Sequence, residues 1–266
     1  MLGRYVYTYF KSQNYDVIEI NRNVIKDVTL LNQGELEYAL YKLGLKKNDL
    51  IINCIGLIKQ RKNVTTLDFI QINSTFPLML ANICEENDVH MIHPTTDCVW
   101  NGLDGAYNEN SKHNADDVYG ITKSLGEPEN ATVIRTSIIG EELQNQLSFV
   151  EWVKSEKGNE VKGFTNHFWN GVTCLEFAKI CEQIIERDIY WNGVVHLMSP
   201  ESITKYKMIE YVSDVYDLGI SIRYTETPNK CDRSLSSIKN VDIDIKDLKV
   251  QIQEMKDYYN TLKDTV

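Results

Sequence analysis

The chain has 266 residues, a net charge of −10, 42% hydrophobic and 25% charged residues. These ordinary fractions exclude disordered and fibrous classes and leave room for one large α/β domain, or a domain with a smaller lobe, around a substantial core. The acidic balance argues against a general nucleic-acid or anionic-membrane surface, while a local basic pocket for phosphate survives such an average.

Residues from Gly3 to about Asn14 read as a helix, with Leu2, Val6 and Phe10 on one apolar face. Asp16–Ile20 reads as a short strand closed by Asn21-Arg22-Asn23, and Leu36, Leu40 and Leu43 mark a helix from about 33 to 43. Asp49–Gly56 is an almost wholly apolar run that suits a parallel strand covered on both faces. A long helix from about 67 to 86 follows, which Pro77 is expected to kink or split. Then come a strand at Val89–His93, a helix at about 116 to 127 and a strand at Ala131–Thr136. Strands alternating with helices make a doubly wound α/β fold with a mostly parallel sheet and right-handed crossovers.

After Gly140 the pattern changes. A helix at 148–156, a strand near Val161–Phe164 and an aromatic loop at Asn166–Gly171 precede an amphipathic helix at 173–188 and a strand at Gly193–Met198. Helices at about 204–217 and 245–263 flank a strand at 220–224 and a polar turn at Pro228–Arg233. The expected division is a Rossmann-like domain at 1–140, to which 173–198 return, and a smaller α/β lobe from 141–172 and 199–266. The crevice between them is the default ligand site.

No run of about 18 apolar residues is present, and the N-terminus lacks the apolar core and cleavage site of a signal peptide. The six cysteines are scattered without a Cys-x-x-Cys, so no metal is expected and they read as small buried hydrophobes of a reducing cytosol. A cytoplasmic protein is the expectation.

The chemistry gathers at Val118-Tyr119-Gly120-Ile121-Thr122-Lys123, taken with His93-Pro94-Thr95-Thr96-Asp97. Tyrosine and lysine four apart share a helix face, so the ammonium can lie beside the phenol and favour its ionised form. The same spacing occurs at Tyr7/Lys11, Tyr38/Lys42 and Tyr259/Lys263, each in an amphipathic pattern that a solvated face explains. Tyr119 differs in context, because a strand ending in hydroxyl residues and a Gly/Asn/Asp-rich loop lead into its helix.

The ordered run Thr95-Thr96-Asp97-Cys98-Val99-Trp100-Asn101-Gly102, Tyr107-Asn108-Glu109 and Tyr119–Glu127 resembles the extended short-chain dehydrogenase/reductases. Within them it is most similar to the dTDP-4-dehydrorhamnose reductase group of nucleotide-sugar reductases. Similarity extends through Asn53-Cys54-Ile55-Gly56, Asn73 and Arg135-Thr136-Ser137, covering most of the first 200 residues. The resemblance implies that Tyr119 gives a proton to a ketone oxygen as hydride reaches the carbon. Lys123 then eases the phenol's ionisation and holds the nicotinamide ribose, while Thr96 hydrogen-bonds the same oxygen. A helix or turn cap is the plainer role for Thr96, and Asp97 is expected to brace the substrate loop.

Asn53, Cys54 and Gly56, with Asn73 nearby, fall where a dinucleotide meets the carboxyl edge of a parallel sheet, although a buried strand end would read alike. Arg22 follows the first strand, where an arginine suits a 2′-phosphate, so NADP is favoured with NAD as the alternative; a surface arginine reads the same. Trp169 fits stacking on a base or sugar, or the core, and Lys59 fits a phosphate contact or a solvated face. The substrate half departs from the rhamnose group at Asn166–Thr173 and at Leu57-Ile58-Lys59-Gln60, which leaves the sugar open.

The group opens with a strand and a Gly-x-x-Gly-x-x-Gly turn whose amides meet the pyrophosphate at a helix N-terminus. Here only Gly3 of that turn stands in the sequence, so a misplaced start, a fragment or a decayed paralogue is expected. The leading reading is an NAD(P)H-dependent reductase of a nucleotide-linked 4-keto-6-deoxy sugar, assembled as a homodimer. A non-catalytic dinucleotide- or partner-binding subunit and a nucleotide-sugar epimerase are the alternatives. Dehydration is disfavoured because Cys98, not a second acid, follows Asp97.

Overall fold

The computed structural model describes residues 1–25, 27–142 and 146–263, together with every side chain among them up to residue 261. The apolar stripe that begins the chain forms α1 (Leu2–Ser12), which buries Tyr5, Val6, Tyr9 and Phe10. Asn32 and Glu35 form a reciprocal capping box that starts α2 (Gln33–Lys42). β1 (Leu50–Ile52) follows, then α3 (Thr66–Ile70), a single π turn at Gln71–Thr75 and α4 (Phe76–Glu86). The helix expected from about 67 to 86 is thus interrupted by a π turn that ends two residues before Pro77. Pro77 has no N–H for the carbonyl of Asn73, and the wider π turn absorbs the mismatch.

β2 (His90–Thr96), α5 (Val118–Leu125), β3 (Thr132–Thr136) and β4 (Ile138–Ile139) come next. α6 (Phe149–Ser155), β5 (Glu160–Phe164), β6 (His167–Trp169), β7 (Val172–Thr173) and α7 (Cys174–Arg187) precede β8 (Gly193–His196). The chain closes with β9 (Ile203–Thr204), α8 (Lys205–Tyr216), β10 (Ser221–Thr225), β11 (Cys231–Asp232) and α9 (Leu248–Lys263).

The main sheet has the order β1-β2-β3-β8 and is parallel throughout. Alternate residues of its strands enter different cores, as the strand period requires. Met91 packs with α2 and α4, whereas Ile92, with Ile134 and Val195, packs with α1 and α7. This is the Rossmann-like α/β arrangement expected from the alternating pattern. Three small sheets, β10-β5, β11-β6-β9 and β4-β7, are made mainly by the later part of the chain.

Three expected elements differ. Asp16–Ile20 runs without strand pairing, because no described strand lies alongside to take its backbone hydrogen bonds. The aromatic segment expected as a loop contains β6, held by β11 and β9 from more than 30 residues away. The apolar run expected as a strand to Gly56 leaves the sheet at Asn53, whose side chain accepts from the Ile55 N–H at 3.0 Å and turns the backbone outward.

Candidate active site

β2 reaches Thr96 in register with Thr136 of β3, which puts Thr95 and Thr96 at the carboxyl edge of the sheet. The Thr96 hydroxyl accepts from the Cys98 N–H at 3.1 Å and gives its proton to Asp97 at 3.2 Å, starting a one-turn helix at Asp97–Val99. The same hydroxyl is within hydrogen-bonding reach of the Tyr119 phenol. The cap role and the proximity to Tyr119 thus coincide in one side chain.

α5 is fitted closely against this loop. Its cap, Asp117, accepts from the Gly120 N–H at 2.8 Å, and a Cβ on Gly120 would lie 2.2 Å from the Cys98 carbonyl oxygen. Ser74 gives its hydroxyl proton to the Thr122 carbonyl at 2.7 Å. Tyr119 is half-buried. Burial, with Cys98, Asp97 and Asp117 adding to it, drives the phenol well above its ordinary value, and the Thr96 hydrogen bond only partly opposes this. At neutral pH Tyr119 is a proton donor.

Lys123 is buried, and its ammonium donates to the Pro94 carbonyl at 3.0 Å. Burial pushes it down to about 8, with Glu127 opposing. The cation that lies over the Tyr119 ring, 5.6 Å from its centroid, is Lys59, which is ion-paired with Asp117. Among the other pairs at the same spacing, Lys42 lies 5.3 Å from the exposed Tyr38 ring, and the Lys263 side chain falls outside the described residues.

The residues expected at the dinucleotide form a second group. Asn53 donates through Nδ2 to Nδ1 of His93 at 3.0 Å, and Asn73 clamps both the N–H and the carbonyl of Leu57, at 2.8 and 3.1 Å. Ile55 and Gly56 between them are exposed, with only the Asn73 carboxamide near a Cβ on Gly56. Gly3, in the first turn of α1, packs so closely that its Cβ would lie 3.2 Å from the Cβ of Cys54. Arg22 is exposed in a turn near Asp27. The Nε2 of buried His93 has no hydrogen-bond partner, and burial, with Lys123 adding, holds that ring far below its usual value.

Near Asp97, which the sequence singled out to brace the loop, stand two residues that it did not, Lys205 and Arg233. Asp97 is buried, which raises it, while Arg233 and Lys205 pull it back. Arg233 donates to the Trp100 and Asn101 carbonyls at 3.1 and 3.4 Å. Lys205 lies 4.9 Å from the Phe149 ring and 5.6 Å from that of Trp169, and burial lowers it. Trp169 itself is buried in the core. A signal for Lys205 was available, since a lysine in the first turn of a helix opposes the helix dipole. Arg233 carried none.

Behind the site, Arg135 makes hydrogen bonds to both oxygens of Glu127, at 3.1 and 2.5 Å, and to His196 and His113 at 2.8 and 3.0 Å. Glu127 also accepts from Thr95 at 2.8 Å. Among the described residues, no group of three or more His, Cys, Asp or Glu side chains is arranged to hold a metal, and no helix is long and apolar enough to cross a membrane.

A structure of a dTDP-4-dehydrorhamnose reductase from Clostridium acetobutylicum superposes with a TM-score of 0.75 at 19% identity, covering 97% of this chain and 96% of that one. A dTDP-4-dehydrorhamnose reductase from Bacillus anthracis, solved in complex with NADP, gives 0.76 at 14% identity over 97% and 95%. In sequence, methionine adenosyltransferase 2 subunit beta of Danio rerio is 25% identical over 250 residues, 86% of this chain and 75% of that protein. The family described as the RmlD substrate binding domain matches residues 1–265. The chain belongs to that family.

Proposed function

We propose that this protein is an NAD(P)H-dependent reductase of a ketone on a nucleotide-linked sugar, of the 4-keto-6-deoxy class, with NADP preferred. The observation that carries the reading is the placement of the Tyr119 phenol beside the Thr96 hydroxyl at the carboxyl edge of a parallel sheet. In this reading residues 1–140 and 173–198 form the dinucleotide half, and 141–172 with 199–266 the substrate half.

The residues at the first turn of α1 fit a dinucleotide. Exposed backbone at Ile55 and Gly56 lies open, Gly3 is packed against the neighbouring Cys54, and a helix N-terminus favours phosphate. Gly3, Asn53, Cys54, Gly56 and Asn73 would hold it there, Arg22 would meet a 2′-phosphate and Lys123 the nicotinamide ribose. When bound, it supplies the hydride. Thr96 orients the ketone oxygen, and Tyr119 Oη passes its proton to that oxygen as negative charge develops. Lys205 and Arg233 supply positive charge suited to a diphosphate, Asp97 braces the loop between them, and Trp169 backs Lys205.

Fluorescence titration with NADPH, followed by turnover of a nucleotide-linked 4-keto sugar, tests the reading. Tyr119→Phe is expected to lower kcat by about 10²–10⁴-fold with unchanged NADPH affinity; wild-type turnover by the variant would refute it. The likeness to a methionine adenosyltransferase subunit supports a second reading, a dinucleotide-binding partner subunit. NADPH binding without turnover of any keto sugar by the wild-type chain would favour that one.

A further inference from the structure

The end of β2 is gripped by two charges of opposite sign, one on α5 and one just past it. Lys123 Nζ donates to the Pro94 carbonyl at 3.0 Å, and Glu127, four residues on, accepts from the hydroxyl of the next strand residue, Thr95, at 2.8 Å. The Glu127 carboxylate is fixed in turn from β3, where Arg135 donates to its two oxygens at 3.1 and 2.5 Å. The side chains of Arg135 and Glu127 are 3% and 8% exposed, so water screens these charges weakly.

Lys123 is buried as well, and a buried ammonium keeps its proton only where negative charge offsets its lost hydration. Beside it on β2 stands His93, a neutral ring held far below its usual value by burial and by Lys123 itself. Tyr119, one turn back on α5, is driven up by burial and is a neutral phenol at pH 7. His113 is lowered by burial and takes a hydrogen bond from Arg135 at Nε2, while the same guanidinium reaches His196. Among the described residues, the negative charge that opposes the burial of Lys123 is Glu127. With Lys123 at about 8, roughly nine-tenths of it is charged at neutral pH, and one unit lower would leave about half.

We propose that Glu127, held by Arg135, is a positioning residue that keeps Lys123 protonated and seated at the end of β2, one helical turn from Tyr119. The inference rests on the proposed reductase role, in which a charged Lys123 eases ionisation of the Tyr119 phenol and holds the nicotinamide ribose. Glu127 touches neither substrate nor cofactor in this arrangement. It acts through Lys123, and loss of its charge removes the ammonium near neutral pH while leaving the phenol in place.

The test reads Lys123 directly and needs no substrate. The full chain is labelled with lysine carrying carbon-13 at Cε, the Lys123 resonance is identified by its loss in Lys123→Met, and its shift is followed with pH. The parent midpoint is expected at about 8. Glu127→Gln is expected to lower it by about one unit, Glu127→Asp to recover most of that loss, and Thr95→Val, which removes the hydrogen bond and keeps the carboxylate, to move it less. Because Glu127→Gln leaves Arg135 buried without its counter-charge, the double variant Glu127→Gln/Arg135→Gln is measured beside it, and there too the midpoint is expected to fall. An unchanged midpoint in the folded Gln variants, or a fall in Thr95→Val equal to theirs, would overturn the proposal. An alkaline limb of kcat that stays in place while the midpoint falls would overturn it as well. A lowered midpoint in a chain that reduces no keto sugar would uphold the charge role and refute the reductase reading alone.

Discussion

His196 gives its Nδ1 proton to the Ser236 carbonyl at 2.8 Å and accepts from Arg135 at Nε2, so the ring is neutral with both nitrogens engaged. Burial, reinforced by the Arg135 charge, lowers it to about 4. The unfolded chain takes up that proton near pH 6.5, so between about 6.5 and 4 the unfolded state binds more protons than the folded one. Stability is then present above that window and is lost as the pH falls through it, by about 3 kcal/mol for this one group. Urea unfolding at pH 7 and pH 5 should show a smaller pH dependence for His196→Gln than for the parent. Thr96, Tyr119 and Lys123 were legible as residues because an ordered motif carries them. The partners of Tyr119 and Lys123 were not, since Lys59 is separated from Tyr119 by 60 positions and no spacing rule links them.

At the level of elements, the helix bearing Tyr119 is located at both ends by glycine. A Cβ on Gly126 would lie 1.8 Å from the Asn73 carbonyl oxygen, the group that Pro77 leaves without its helical donor. Gly126→Ala must separate the end of α5 from the π turn, at a cost of about 1–3 kcal/mol in unfolding free energy. Because the turn also presents the Asn73 side chain to Leu57, NADPH affinity should fall in the same variant, which fluorescence titration reads. Helix α2 could be read from its periodicity and Glu35 spacing, as could α7 from its apolar pattern, since such signals are local. Asp16–Ile20 and β6 were misread for the converse reason: whether an apolar stretch becomes a strand depends on a partner elsewhere in the chain.

For the whole molecule, one apolar core joins both halves of the sequence. α1, α7, α8 and α9 meet around Phe177, Ile180, Met208, Ile252 and Met255, all fully buried. Phe177→Ala removes a ring from that junction and should cost about 3–5 kcal/mol. Tryptophan fluorescence and far-UV circular dichroism should still report coincident urea transitions, as expected if the shared core makes the chain unfold as one unit. By itself the sequence determined the α/β class, most helices and strands and the motif order that carries Thr96, Tyr119 and Lys123, because period and motif order are written locally along the chain. Only the tertiary structure decided that Lys59 faces Tyr119, that Lys123 turns to Pro94, and that Lys205 and Arg233 converge on Asp97. Those pairings join residues tens of positions apart, and burial, which exists only once the chain is packed, sets their charges.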